Sequence, residues 1–390
     1  MQMKLPSDIS APIPVLHLSL DVQPEVPPSA PGFSVYWRDD FPVGVVKAFD
    51  STVSVKDCPP LRKRIETVPP LSVERLPASV IICTRDRAEE LARCLISFKN
   101  QTVAPTEVIV VDNASVEDQT RVVAIEAGVR YVREDKHGLD IARNSGAAAA
   151  SCPIVVYTDD DTVLHPTWLQ RMVEAFEEPA IWAVTGQVLP AELETAAQAV
   201  FEKAWGLGKG YERRDYGPAF YEQTRRRGCP VWGIGAGASM AFRREVFDRL
   251  GGFDERLDVG AAGCSGDSEY WYRILSAGGV CRYEPSAVVY HYHRRDFEGL
   301  ARQLRAYMRG HVTALLVQYE RSGEWGNLRR LLLTLPRVYA RKLSRRLAGV
   351  HDSSTCLVGE EIRGMLEGVA YYFACRVKAG SLNATPSISR

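Results

Sequence analysis

The sequence predicts an α/β protein built around a mainly parallel β-sheet. Three β-branched, apolar runs, Ser79–Cys83, Glu107–Val111 and Ile154–Thr158, are typical of buried strands. Each is followed by a segment of helical periodicity, and this alternation indicates βαβ units. Each run also stops abruptly on polar or charged residues. Right-handed crossovers place the carboxyl ends of parallel strands along one edge, where ligands bind, so we expect these polar residues to converge there.

Length and composition limit the class of protein. The 390 residues suffice for one large domain with appendages, or for two domains. The 48 basic residues balance 48 acidic ones, so no global field indicates a nucleic-acid partner. The nine cysteines are scattered without the spacing of a zinc site, which suits a reducing compartment. Because no run resembles a membrane span or the core of a signal peptide, we expect a cytoplasmic protein.

Residues 1–77 form the first predicted segment, which holds more than half of the 23 prolines. Proline removes backbone donors and fixes φ, so long helices are not expected here. Between the prolines lie two short strand-like runs, Val15–Leu18 and Val43–Val46. We predict a β-rich N-terminal extension with a Pro-rich linker, which serves packing or partner binding and carries no chemistry of its own.

Residues 78–296 carry the alternation of strands and helices. After the first strand, four apolar residues at positions i, i+3, i+4 and i+7 predict a helix face. The elements predicted beyond it are a helix around Val122–Ile125, a strand Val129–Val132, a helix Gly138–Ala150, a helix marked by Leu169, Met172, Val173 and Phe176, and a strand Ala238–Phe242.

The third buried run ends on three consecutive carboxylates, Asp159, Asp160 and Asp161. Adjacent charges are costly away from water unless they are paired or bound to metal. Their position favours a site for a hard divalent cation. An acidic turn that caps the next helix is the alternative, which explains one Asp better than three. In an extended backbone Asp159 and Asp161 share a face and Asp160 points away, so one face serves metal and the other ribose or packing.

Two common nucleotide signatures are absent from the sequence. There is no GxGxxG after the first strand and no GxxxxGK[ST], which argues against a dinucleotide-binding dehydrogenase and a P-loop enzyme. Gly233, Gly235 and Gly237 precede the predicted strand that begins at Ala238. They either let the backbone approach a ligand or form a tight turn.

Further chemistry-bearing residues follow later in the chain. Asp267 stands where a helix is predicted to begin, after a loop of small residues, and is either a helix cap or a general base. The strand Ala287–Tyr290 leads into His291 and His293, which alternation places on one face. Two histidines at a strand end, in a chain with an acidic triplet, favour a metal site.

Residues 297–390 form a predicted helical region with a polar tail. The segment Arg329–Arg346 holds seven basic residues and no acidic one. Such a segment either lies on an anionic membrane surface or is a solvated helix face. The tail after Lys378 is small and polar, and we predict it to be disordered.

These motifs, in this order, resemble the inverting glycosyltransferases of family 2, which have the GT-A fold. The resemblance runs from about Ser79 to Arg295, and more loosely to His311. Each motif alone is weak, whereas their order and spacing together are specific. The matching motifs are Thr84-Arg85-Asp86-Arg87, Asp112, Gly138 with Ala142-Arg143-Asn144 and Gly146, Asp159-Asp160-Asp161, Pro166 with Trp168-Leu169, Met240 to Arg244, and Gly251 to Glu255.

The resemblance implies a nucleotide-sugar site with roles for individual residues. The donor would be bound by Thr84, Arg85, Asp86, Asp112, Gly138, Arg143, Asp159 and Asp160. A divalent metal ion, Mn²⁺ or Mg²⁺, would be bound by Asp159, Asp161, His291 and His293. Asp267 would be the catalytic base, and the acceptor side would include Gly235, Gly237 and Glu269.

One departure concerns the pair before the acceptor-side helix. The family commonly has Glu-Asp there, and this chain has Gly266-Asp267. The base is kept, while Glu269 two residues later matches a position that is often acidic. The departure therefore bears on how the acceptor is bound.

The chemistry of these groups predicts a single displacement. A divalent cation neutralises the charge that develops on a nucleotide-diphosphate leaving group. One base without an enzymic nucleophile gives inversion. We expect a UDP-sugar donor and a hydroxyl on a glycan, lipid-linked or small-molecule acceptor, with peripheral contact of Arg329–Arg346 with an anionic membrane. The alternatives are a nucleotidyltransferase and a non-catalytic nucleotide-sugar or glycan-binding module.

Overall fold

The N-terminal strands form a small sheet of their own. The computed structural model describes residues 6–19, 32–49 and 76–383, so much of the predicted Pro-rich linker lies outside the described residues. The sheet contains β1 (Val15–Ser19), β2 (Gly32–Arg38) and β3 (Phe41–Ala48). β1 is parallel to β2, and β2 is antiparallel to β3. The sequence predicted β1 and β3 but not the strand between them.

The small sheet packs against the rest of the chain through β2. Phe33, Val35 and Trp37 alternate along this strand and therefore point to one face. They share a buried cluster with Leu189 and Val288 of the larger sheet. The extension is thus held to the central domain by apolar contacts.

The larger sheet has nine strands. Its spatial order is β10-β12-β9-β11-β7-β4-β5-β6, with β8 paired to β12. The strands are β4 (Ala78–Thr84), β5 (Glu107–Asn113), β6 (Arg130–Glu134), β7 (Ile154–Asp159), β8 (Thr162–Leu164), β9 (Ile181–Pro190), β10 (Arg214–Tyr216), β11 (Ser239–Arg243) and β12 (Val280–His291). All but β8, β10 and β11 run in one direction. The prediction of a mostly parallel α/β sheet is therefore confirmed.

Helices cover both faces of the central strands. Leu91 and Leu95 of the first helix pack on Ile82, while Gly146 of the third helix lies against Ile81. A β-carbon at Gly146 would stand 2.5 Å from Cγ2 of Ile81, so glycine permits this close contact. The helices are α1 (Ala88–Ser97), α2 (Gln119–Glu126), α3 (Leu139–Ala149), α4 (Trp168–Glu174), α5 (Ala196–Ala204), α6 (Pro218–Thr224), α7 (Arg244–Leu250) and α8 (Gly266–Ser276).

The C-terminal region is helical, as predicted. Its helices are α9 (Phe297–Ser322), α10 (Trp325–Arg329), α11 (Leu335–Leu347) and α12 (Val358–Asn383). A π-helical turn, Arg330–Thr334, joins α10 to α11. Because α12 continues to Asn383, the prediction of disorder after Lys378 is wrong up to that residue, and residues 384–390 lie outside the described part. None of the described helices combines the length and apolarity that a membrane span requires.

The register of the sheet sets the position of the polar strand ends. Thr84 pairs with Asp112 across β4 and β5, and Cys83 pairs with Asp159 across β4 and β7. β11 runs antiparallel beside β7, so the glycine-rich segment that precedes it reaches the same edge. β12 ends at His291, which pairs with Thr162 just beyond the Asp triplet. Residues far apart in sequence thus meet at one edge.

Candidate active site

Asp160 joins the ends of two neighbouring strands. Its Oδ2 accepts a hydrogen bond from Oγ1 of Thr84 at 2.7 Å. Its Oδ1 accepts one from Nη1 of Arg87 at 2.6 Å. The carboxylate is buried, so these donors compensate for the water that it has lost. The middle Asp of the triplet therefore ties β4 to β7.

Asp159, Asp161 and His291 form a candidate metal site. Each offers one ligand atom, and these atoms all lie within 4.8 Å of one another. Nε2 of His291 is 3.2 Å from Oδ1 of Asp161, while Nη2 of Arg87 donates to Oδ2 of the same carboxylate at 2.9 Å. Two carboxylates and one imidazole are a donor set suited to a divalent transition metal.

The charges within the triplet also fit a bound cation. Burial, together with the neighbouring Asp161, raises the pKa of both Asp159 and Asp160. Burial acts in the same direction on Asp161, but His291 and Arg87 hold the pKa of this carboxyl well below its usual range. Three adjacent carboxylates, two of them buried, thus share the positive charge of Arg87 and His291, and a divalent cation would add to that charge.

His293 lies behind His291 rather than in the group of three. Nδ1 of His291 is 3.0 Å from Nδ1 of His293, and Nε2 of His293 is 3.4 Å from Oε2 of Glu202. Nζ of Lys47 donates to Oε1 of Glu202 at 2.7 Å. If Nε2 of His293 donates a hydrogen bond to Glu202, Nδ1 of His293 can accept a hydrogen bond from Nδ1 of His291. The lone pair on Nε2 of His291 is then free to bind a metal. A chain of hydrogen bonds thus runs from β3 to the triplet.

Asp112 and Asp86 are engaged in holding loops. Oδ2 of Asp112 accepts hydrogen bonds from the Tyr131 hydroxyl at 2.7 Å and from Nη1 of Arg133 at 2.9 Å. Burial opposes ionisation, yet hydrogen bonds from Ser115 and Tyr131 lower the pKa of Asp112. Asp86 has a left-handed φ of 51° and accepts a hydrogen bond from the backbone of Val116. Neither carboxylate lines the main cavity.

Arg143 lies among three carboxyl groups, of which those of Asp140 and Asp258 are buried and that of Asp267 is half-buried. Its Nη1 donates to Oδ1 of Asp140 at 2.9 Å and to Oδ2 of Asp258 at 2.7 Å. A β-carbon at Gly237 would stand 2.8 Å from Nη2 of Arg143 and 3.2 Å from Oδ2 of Asp267. Glycine at position 237 therefore leaves room for the arginine and the third carboxylate to face the cavity.

Asp267 lies in the first turn of α8 with one oxygen directed toward Gly237. The cap residue is Ser265, at a φ of 78°, so the alternative that made Asp267 the helix cap is wrong. Oδ1 of Asp267 accepts a hydrogen bond from the backbone of Ser268 at 2.6 Å. Burial and the nearby Asp258 raise its pKa, and Arg143 opposes them. Such a carboxylate is suited to accept a proton.

Three of the predicted site residues have structural partners at their positions. Glu269 is fully buried and pairs with Arg273 at 2.9 Å, away from the cavity lining. Gly235 packs on Thr185, which a β-carbon would approach to 2.4 Å. Gly138 has a φ of 152°, and its N–H donates to the side chain of an asparagine at the end of β5.

A cavity of about 1110 Å³ connects these groups. It extends from the strand ends, past Asp267, to the C-terminal helices. The predicted site residues in its lining are Thr84, Arg85, Arg143, Asp159, Asp160, Asp161, Gly235, Gly237, Asp267 and His291. Asp86, Asp112, Gly138, Glu269 and His293 do not line it.

Several residues that shape the site were not predicted from the sequence. Arg87 bridges two Asp of the triplet, and Asp140 and Asp258 hold Arg143. Glu202 completes the hydrogen-bond chain behind His291. Arg87 belongs to the motif that the resemblance had already matched. The other three carry no local signal, because distant segments bring them to the site.

Part of the chain is similar to known proteins. Residues 79–251 match the family model described as Glycosyl transferase family 2. The glucosyl-dolichyl phosphate glucuronosyltransferase of Haloferax volcanii is 27% identical over 183 residues, which cover 45% of this chain and 55% of the relative. The pre-mycofactocin glycosyltransferase of Mycobacterium tuberculosis is 26% identical over 264 residues, covering 64% and 50%. The chain thus spans about half the length of these relatives.

A solved structure is also similar in part. The mannosyltransferase of Pyrobaculum calidifontis, in complex with GDP-mannose and Mn²⁺, is 20% identical with a TM-score of 0.49. The similarity covers 78% of this chain and 87% of that chain. The family model itself includes the Asp triplet and the strand ends, while Asp267 and His291 lie beyond it. Residues 79–251 of the chain therefore match a glycosyltransferase domain of family 2.

Proposed function

We propose that the protein is an inverting, metal-dependent glycosyltransferase that uses a nucleotide-diphosphate sugar, with UDP-sugars favoured. The acceptor is a hydroxyl group, and Asp267 is the general base. One observation carries the proposal: a metal-fitting group and a separate half-buried carboxylate line the same cavity. This division of roles is what a single displacement needs, since the leaving group and the attacking hydroxyl lie on opposite faces of the sugar.

The metal would be held by Asp159, Asp161 and His291. When bound, it would supply positive charge to the diphosphate leaving group. The fit of a metal is supported by Oδ1 of Asp161, which is buried and makes no hydrogen bond of good geometry among the described residues, although Nε2 of His291 lies 3.2 Å from it. It is also supported by the contacts of His293 and Glu202, which fix the orientation of the His291 ring.

Asp267 would take the proton from the attacking hydroxyl. Its Oδ2 is directed toward Gly237, where the absence of a side chain leaves space beside the carboxylate. Arg143 is held by Asp140 and Asp258, so it remains near the reaction without neutralising Asp267 completely. A base in a partly dry pocket accepts a proton more readily than a solvated carboxylate.

Asp112 and Gly138 would act on the nucleotide side through the loops they hold. Asp112 is kept ionised by its hydrogen bonds, so it can hold the backbone of Ser115 and the side chain of Arg133 in place beside the nucleotide. Asp86 stabilises the neighbouring turn through Val116. These roles are compatible with a UDP-sugar and select it for the first assay.

We also propose peripheral contact with an anionic membrane through Arg329–Arg346. Leu332 and Leu333 in this segment are 64% and 44% exposed, between arginines that have no acidic neighbour in the segment. Exposed leucines beside basic residues are typical of helices that lie in a membrane interface. Binding to vesicles with and without phosphatidylglycerol tests this contact.

The enzymatic proposal is tested by the Asp267→Asn variant. UDP release and sugar transfer are measured with several UDP-sugars, with and without Mn²⁺. We expect the variant to lose about 100-fold or more in kcat, in keeping with the usual contribution of a general base. Donor binding with Mn²⁺, measured by thermal shift, should persist in the variant.

The matched control is Asp118→Asn, which changes an exposed carboxylate away from the cavity. It should behave as the wild-type protein. Full activity of Asp267→Asn would contradict the role of the base. A product with the same anomeric configuration as the donor would contradict inversion.

A further inference from the structure

The main cavity has an apolar arm on the side of the C-terminal helices. Its wall includes Trp232, Met308, Leu335, Val338 and Tyr339. These residues are contiguous, since the Tyr339 hydroxyl is 3.2 Å from the Met308 sulfur and Leu335, Met308 and Tyr339 share one buried cluster. A sugar or nucleotide alone does not need such a wall, because both are polar. The arm therefore fits an extended apolar group joined to the acceptor.

A cation without a carboxylate partner lies on this arm. Arg330 lines the cavity, and its guanidinium stacks over the Trp232 ring at 3.7 Å. Its Nε donates to Nε2 of His311 at 3.2 Å. Within the described ranges no carboxylate forms an ion pair with it, and burial lowers its pKa to about 10. A partly buried, unpaired guanidinium is well suited to bind a phosphate group.

The local backbone supports this position. Arg330 begins the π-helical turn that ends at Thr334, and both residues line the cavity. Turns of this type are rare and occur frequently at functional sites. The turn places Arg330 and Leu335 on the same wall, so a charged group and an apolar chain can be bound side by side.

The arm opens on the exposed face of α11. Val338 lines the cavity and is also 41% exposed, so it marks the mouth of the arm. Arg337 and Arg341 of α11 are exposed and flank Val338 in the sequence, and the segment has no acidic residue. This charge pattern complements anionic lipid headgroups and disfavours a basic peptide.

We propose that the arm binds a lipid-linked acceptor, with a phosphate at Arg330 and a hydrocarbon chain along Leu335 and Val338. This inference rests on the proposed glycosyltransferase function and names the class of its acceptor. The sugar end of the acceptor lies toward Asp267, and the chain leaves through the mouth on α11. The bilayer that contacts α11 supplies the lipid.

The test uses dodecyl phosphate as the probe, with inorganic phosphate and dodecanol as its two halves. Isothermal titration calorimetry on the full chain should show binding of dodecyl phosphate and much weaker binding of either half. Arg330→Gln should weaken dodecyl phosphate binding about 10- to 100-fold, as expected for a charged hydrogen bond. Arg330→Lys should restore part of the affinity, and Val338→Asp should weaken binding of the chain.

Arg249→Gln is the matched control, because Arg249 also stacks on a tryptophan, Trp182 at 5.2 Å, but lies outside the cavity. It should bind dodecyl phosphate as the wild-type protein does. Equal binding of inorganic phosphate, which would indicate a site for free phosphate, or unchanged binding by both Arg330→Gln and Val338→Asp, would overturn the proposal. Donor binding with Mn²⁺ is measured separately on the wild-type protein, so failure of the general function is distinguished from failure of the acceptor site.

Discussion

The carboxylate of Asp140 fills the space beside Gly266. A β-carbon at position 266 would stand 2.0 Å from Oδ2 of Asp140 and 2.4 Å from Oδ1. Oδ2 is buried and finds no hydrogen-bond partner in the part of the chain that the structure describes. The family resemblance led us to expect an acidic residue directly before Asp267. In this chain a carboxylate from α3 occupies that space instead.

This contact predicts that substitutions at positions 140 and 266 have coupled effects on the free energy of unfolding. Gly266→Ala should destabilise the protein by about 1–3 kcal/mol, the usual cost of forcing extra atoms into a packed site. The cost should fall when Asp140→Ala is added, because the smaller side chain removes the clash. The measurement is a double-mutant cycle in chemical denaturation, with a coupling of about 1 kcal/mol or more.

Gly359→Ala serves as the control for this cycle. Gly359 also lies in a helix, at a position where a β-carbon would contact nothing within 4 Å. Alanine there should be neutral or slightly stabilising, since it favours helix over glycine. Strictly additive effects of Gly266→Ala and Asp140→Ala would show that the two positions do not share this space.

The pH dependence of kcat should reflect Asp267. Its pKa lies above the ordinary value of 3.8, because of burial and then Asp258, with Arg143 opposing. A base must be deprotonated, so kcat should fall as pH falls through this raised pKa. The groups that face it are Asp258, Arg143, Asp140 and the amine of Lys209, whose own pKa is lowered by burial.

Asp258→Asn makes this prediction specific. The substitution removes a negative charge near Asp267 and frees Arg143 to interact with it, and both changes favour the ionised base. In the pH profile of kcat, measured at saturating Mn²⁺, the fall on the acid side should move to a pH lower by about one unit. This shift is within the range by which a nearby charge changes a pKa. A shift upward, or no shift, would assign the limb to another group.

The two histidines should differ in their effect on metal dependence. His291 belongs to the candidate metal group, whereas His293 lies behind it, between the His291 ring and Glu202. His291→Ala should raise the Mn²⁺ concentration for half-maximal activity about 100-fold, and His293→Ala about 10-fold, within the range known for residues around a metal. A larger effect of His293→Ala would reverse the assignment.

β4, β5 and β7 in the middle of the sheet were predictable because most of their residues are buried. β9 is also mostly buried, yet the sequence analysis did not predict it. Runs such as Ile154–Thr158 carry apolar residues on both faces, which few other structures explain. β2 was missed because Gly32–Arg38 lies in a Pro-rich region whose composition argued against regular structure. β12 was predicted only at its end, since its pairing with β9 shifts register between Glu284 and Val288.

The strand-end residues of the site were also predictable, because topology alone brings Thr84 and Asp159 to one edge. The residues that form hydrogen bonds with the site residues or pack beside them were not predictable. Asp140 reaches the space beside Gly266 only through the packing of α3 against α8. Glu202 reaches His293 through the position of α5. Such contacts depend on distances between elements, which local periodicity does not encode.

Lys47 connects the N-terminal extension to the candidate metal site through a chain of hydrogen bonds, although the sequence indicated no chemistry in the extension. Its Nζ donates to Glu202, which contacts His293, which in turn orients His291. Burial opposes ionisation of Glu202, but Lys47 and then His293 lower its pKa, so the carboxylate stays charged. Lys47→Met should therefore loosen the orientation of the metal ligand.

The expected result is a rise of about 10-fold in the Mn²⁺ concentration for half-maximal activity, the lower limit for loss of a partner behind a metal ligand. Activity at saturating Mn²⁺ should remain close to wild type, because Lys47 does not line the cavity. Lys136→Met is the control, since it removes an exposed lysine that pairs with Glu255. If Lys47→Met lowers thermal stability but leaves the Mn²⁺ dependence unchanged, the extension contributes packing alone, and His291 is oriented by Glu202 without help from β3.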